Sequence, residues 1–108
     1  MAHYMIQVAY TADAAAALVK NPQNRIEAVR PVIERLGGSL EGAWFAFGEY
    51  DVVLIAQMPD NVSAAAFSFA VSAGGAIKAI KTTPLMSIED GVGSLKKAGG
   101  AGYQAPGA

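Results

Sequence analysis

The segment Ala46-Phe-Gly-Glu-Tyr-Asp-Val-Val-Leu-Ile-Ala56 constrains this chain more than any other. Its polar Gly-Glu-Tyr-Asp centre separates two runs of β-type residues, so it reads as the hinge of an antiparallel hairpin. The flanking runs, Leu40 to Phe47 and Val52 to Met58, carry apolar side chains at odd and even positions alike. Trp44 and Ala46 fall on one face, Phe45 and Phe47 on the other, and Val52 and Leu54 oppose Val53 and Ile55. A sheet with one wet face alternates apolar with polar residues. This sheet is therefore expected to be covered on both faces.

The rest of the chain supplies partners for the hairpin. Tyr4 to Tyr10 is short, apolar and partly β-branched or aromatic, a buried strand. Thr11 can cap a short helix over Ala12 to Val19, and Asn21-Pro22 gives a second helix start. From there to Leu36, Ile26, Val29, Ile33 and Leu36 recur at three- and four-residue steps on one stripe. Pro31 removes one helical donor and predicts a bend, and Gly37-Gly38 stops the helix. Pro59-Asp60-Asn61 ends the third strand and caps a helix to about Ala73, closed by Gly74-Gly75. Ile77 to Met86 is the last strand, with Pro84 tolerable at an edge or bulge. Ser87-x-x-Asp90 resembles a capping box opening a helix to about Lys97. The Gly-rich remainder, 99–108, is expected to be a disordered tail.

The order β-α-β-β-α-β predicts an α+β fold: a ferredoxin-like sandwich with a four-stranded antiparallel sheet and helices on one face. The first and third strands are expected side by side at the centre, running parallel. The helix-free face then needs a partner. A second sheet from another copy, giving a dimeric α+β barrel or a larger ring, fits its apolar character.

Composition supports self-association. Of the 108 residues 53% are hydrophobic and 16% charged, against about 25% charged in an average soluble domain. One domain of this size hides about 65% of the surface its unfolded chain exposes, which leaves a modest core. The net charge of −1 comes from 8 basic and 9 acidic residues. Glu27 and Glu34 interrupt Arg25, Arg30 and Arg35, so no basic stripe for nucleic acid emerges. With no cysteine, disulfides, thiolate metal sites and a cysteine nucleophile are excluded. No run approaches membrane-spanning length and the start lacks a signal-peptide pattern, so a cytoplasmic location is expected.

Tyr10-Thr11, Gly37-Gly38, Phe47-Gly48-Glu49-Tyr50-Asp51-Val52-Val53, Met58-Pro59-Asp60, Val71-Ser-Ala-Gly-Gly-Ala76 and Lys81-Thr82-Thr83 together resemble the GYD-domain family of small bacterial and archaeal proteins. Glu49 stands between the Gly and the Tyr-Asp that give the family its name. The resemblance runs over roughly 4–90 and places one such domain at 1–98. It implies a ferredoxin-like subunit related to the dimeric α+β barrels. It implies no reaction, because fold relatives range from cofactor-free enzymes to ligand-sensing domains.

On the helix-free face, strand alternation groups His3, Met5 and Gln7 with Asp51, Val53, Ile55 and Gln57. Polar groups among apolar ones on a covered face are informative. Gln7 and Gln57 are therefore candidate ligand contacts, joined by Phe45 and Phe47 and by one lysine of the last strand, Lys81 or Lys78. Asp51 as base, Tyr50 as proton donor and His3 as acid or base are the candidate catalytic groups. The bland alternatives are turn hydrogen bonds for Asp51 and a chain-terminal surface role for His3. One histidine and no cysteine give no metal site, and Ser63, Ser68 and Ser72 lack a histidine partner for a triad. Gly74-Gly-Ala-Ile-Lys78 follows a helix, so it lacks the helix N-terminus that holds phosphate.

No residue constellation dictates a reaction, and no cofactor is implied. The leading expectation is a homo-oligomeric domain that binds a small apolar or aromatic metabolite, any catalysis being cofactor-free acid/base work. The alternative is a non-enzymatic sensor or assembly domain whose oligomer interface is its function.

Overall fold

The computed structural model describes residues 1–107. Its elements are β1 (Ala2–Tyr10), α1 (Ala12–Lys20), α2 (Ile26–Arg35), β2 (Ser39–Phe45), β3 (Val52–Met58), α3 (Asn61–Ala73), β4 (Ile77–Leu85) and α4 (Ile88–Gly99). The sheet order is β2-β3-β1-β4, and every neighbouring pair is antiparallel. This is the ferredoxin-like arrangement.

The expected parallel pairing of the first and third strands is corrected: β1 opposes β3. The helical crossover returns the chain so that β2 runs with β1, and the hairpin then reverses it. The strand inserted between them must oppose both.

Strand alternation builds the core. Tyr4, Ile6 and Val8 of β1 and Val52, Leu54, Ala56 and Met58 of β3 are buried towards the helices. Ile33 of α2 and Ala64 and Phe67 of α3 meet them from above. Ser68 and Thr82 add a hydroxyl pair at 3.0 Å between α3 and β4.

The helix ends follow local chemistry. Thr11 accepts from the Ala14 amide at 3.1 Å, Asp60 from Ser63 at 2.8 Å and Ser87 from Asp90 at 3.0 Å. The second helix differs from expectation: it opens after Arg25, not at Asn21-Pro22, and Asn24 accepts from the Ile26 amide at 3.0 Å. Pro31 lies inside α2 and leaves the Glu27 carbonyl without its helical donor. At its end Gly37 takes φ +87°, and Gly38 lies so close to β3 that a Cβ would be 2.4 Å from the Gln57 carbonyl. One glycine turns the chain and the next lets it run close beside β3.

Two elements add nothing to the buried core. Neither α1 nor α4 contains a buried residue. The Cα radius of gyration, 17.4 Å, exceeds the roughly 13 Å of a compact domain of about 100 residues. Along α4, Ile88, Val92 and Leu95 form an exposed stripe at helical spacing. α4 extends to Gly99, two residues past its expected end, and 101–107 contain neither helix nor strand. The last residue of the expected tail, Ala108, lies outside the described residues. No helix is long and apolar enough to cross a membrane among the residues described.

Candidate functional site

The helix-free face of the sheet is a grid of three cross-strand rows. Residues directly opposite in neighbouring strands share a face, so register alone assigns it. The first row is Trp44, Val53, Gln7 and Lys81; the second is Gly42, Ile55, Met5 and Thr83; the third is Ser39, Gln57, His3 and Leu85. The middle of the face is apolar. Polar groups occupy its two ends.

At the first end, Gln7 and Lys81 lie side by side under the loop that joins β2 to β3. A groove of about 350 Å³ opens there, its lining including Gln7, Phe47, Glu49, Tyr50, Val53 and Lys81. Four candidate residues read from the sequence thus meet: Gln7, Phe47, Tyr50 and Lys81. Phe47 is 101% exposed, a full aromatic ring in water at the rim of an apolar face. Lys78 is not part of this row; it lies beside the irregularity between Ala9 and Tyr10.

At the other end, His3 and Gln57 are joined by Glu41. Its Oε1 lies 3.3 Å from His3 Nε2 and accepts a hydrogen bond from the Gln57 amide. The Gln57 bond, followed by the charge and hydrogen bond of His3, holds the Glu41 carboxyl below its ordinary value. Glu41 was not among the residues expected here. It is the extra residue of a β-bulge, opposite no single partner between Leu40 and Gly42, and a bulge re-aims its side chain. The signal was an acid followed by glycine inside an apolar strand.

Phe45 does not join this face, which corrects the expected assignment. It pairs with Val52, whose side chain points to the helix layer. Trp44 stands on the helix-free face in its place, its indole against Gly42, where a Cβ would lie 2.5 Å from the ring. Which of two adjacent aromatics faces which way depends on register, and strand alternation alone leaves register open.

Asp51 is occupied by the backbone. Its Oδ2 accepts from the Tyr10 amide at 2.9 Å, its own amide donates to the Val8 carbonyl at 2.8 Å, and its carbonyl accepts from Ala46 at 2.8 Å. It stitches the hairpin loop to the end of β1. His3 and Gln7 are four residues apart on β1, about 13 Å along a strand. The three candidate catalytic residues therefore occupy three places: His3 with Glu41, Tyr50 in the groove, and Asp51 on the backbone.

Comparison with curated protein sequences returned no match. Among solved structures, the crystal structure of MtbAldR is similar with a TM-score of 0.57 and 18% identity, over 99% of this chain and 56% of that one. The present chain thus spans little more than half of that chain's length, and the likeness at this identity is one of fold. The family model for the GYD domain matches residues 4–92, a span that contains the sheet from Tyr4 onward, the Phe47–Val53 loop and both helices packed on the core. On that match the chain belongs to the GYD domain family.

Proposed function

We propose that this chain is a self-associating small-molecule-binding domain. Two copies bring their helix-free sheet faces together, and the groove at Gln7, Phe47, Tyr50 and Lys81 becomes an enclosed pocket. The observation that carries this reading is the grid itself: Met5, Ile55 and Val53 form an apolar centre bordered by polar groups at both ends. Ligand sites are mostly apolar surfaces with a few placed polar groups. The ligand is a small apolar or aromatic molecule whose polar end meets Lys81 and Gln7. Asp51 supports the loop, and the separation of His3 from Tyr50 favours binding over acid/base chemistry.

The test is native mass spectrometry of the untagged chain purified from its own host, alongside Gln7→Leu and Lys81→Met. An oligomer carrying a reproducible extra mass, reduced in both variants, supports the reading. The same extra mass retained in both sinks the proposed groove.

A second reading, an assembly domain without ligand, is favoured by the exposed Ile88, Val92 and Leu95 stripe of α4. It predicts a clean oligomer with no added mass.

A further inference from the structure

The other side of the sheet contains a second concavity. Between α2 and α3 a cleft of about 270 Å³ reaches down to Val8, Val52 and Leu54 of the sheet. It exists because small residues stand where longer ones would close it: Ala28 on α2, Ala70 on α3, and Gly74 and Ala76 beyond α3. Val29, Phe67, Val71 and Ile77 complete apolar walls. A dry apolar cavity of about 150 Å³ already holds a benzene ring. This one has room for a ring and a short arm.

Its mouth is polar and cationic. Tyr10 and Arg25 are the only polar side chains lining it. The Arg25 guanidinium has a single contact at 3.5 Å, to the Gln23 amide oxygen. Among the described residues the sole ion pair is His3–Glu41, and none of their carboxylates pairs with Arg25. Arg25 is also the N-cap of α2, where the helix dipole adds positive potential. Burial, and to a lesser degree the Asp51 charge, raise the Tyr10 phenol above its ordinary value, against the lowering effect of Arg25. A phenol is a hydrogen-bond donor at neutral pH. Asp51 is engaged by the Tyr10 amide and does not line the cleft.

We infer that this cleft binds an aromatic monocarboxylate with a short aliphatic arm, the ring between α2 and α3 and the carboxylate at Arg25 and the Tyr10 hydroxyl. The site is separate from the sheet-face groove and does not depend on it.

The experiment is an NMR titration of the full chain with phenylpropanoate, and with phenylpropanol as its uncharged counterpart. Arg25 is exposed, so Arg25→Gln keeps the fold; it should weaken phenylpropanoate about three- to tenfold, as for a partly solvated charge-assisted contact, and leave phenylpropanol unchanged. Ala70→Phe fills the cleft and should abolish both. Lys96→Met, on α4 and in the lining of neither site, should alter neither. Shifts concentrated at Val29, Val71 and Ile77 with these variant effects support the site. Phenylpropanoate binding that moves Gln7 and Val53 instead, or that ignores Arg25→Gln and Ala70→Phe, overturns it. So does the absence of any shift at millimolar ligand.

Discussion

Asp51 has the composition of a catalytic residue and the contacts of a structural one. Its side chain satisfies the Tyr10 amide while its backbone joins β1 to the loop. Removing the acceptor strands a part-buried N–H, which costs about 1–3 kcal/mol. Asp51→Ala should lose that much stability in urea unfolding, and Asp51→Asn, which keeps an acceptor oxygen, clearly less. Equal losses in the two variants would mean that charge, not hydrogen bonding, is what Asp51 supplies. Asp60 gives a pH-dependent counterpart. The Ser63 amide holds its carboxyl below its ordinary value, so its stabilisation is present above the unfolded value and lost as pH falls through the folded one. Wild type should therefore exceed Asp60→Asn in urea midpoint at neutral pH, with the gap closing once acid protonates the carboxylate. A gap that widens in acid contradicts this assignment.

The elements were largely legible because their punctuation is local. Asp60 and Ser87 as caps, the Gly37-Gly38 stop and the alternation of Tyr4, Ile6 and Val8 all act within a few residues. Strand direction and facing were not legible to the same degree, since they depend on partners distant in sequence. The bulge at Glu41 shifts the hairpin register, which puts Trp44 on the helix-free face and Phe45 opposite Val52. It also brings Glu41 to His3 and Gln57. Two substitutions test the packing between elements. Phe67 is 1% exposed at the centre of the core, and Phe67→Ala should cost about 3–5 kcal/mol. Gly38→Ala pushes a methyl against the backbone of β3 and should cost about 1–3 kcal/mol as overpacking. A neutral Gly38→Ala in thermal unfolding would show that α2 and β3 separate easily.

At the scale of the molecule, the helix layer covers one face of a sheet that is apolar on both. The core of one copy is small, and α4 extends an apolar stripe that no described residue buries. Ile55 sits at the centre of the helix-free face, between Gly42 and Met5. If a second copy covers this face, Ile55→Arg buries an unpaired charge there. Dissociation should then strengthen at least about a hundredfold, while the monomer fold, whose core lies on the other side, survives. Sedimentation velocity with far-ultraviolet circular dichroism reads both consequences. An Ile55→Arg variant that remains oligomeric would place the interface elsewhere, with α4 the next surface to examine.

Native mass spectrometry of the untagged wild-type chain, at low micromolar concentration and from its own host, tests the central claim most directly. The account predicts a dimer or a multiple of it, with a reproducible added mass below that of a peptide. A bare, folded monomer would contradict it: the apolar sheet face would then stand in water without a partner, and the groove at Gln7 and Lys81 would remain an open surface.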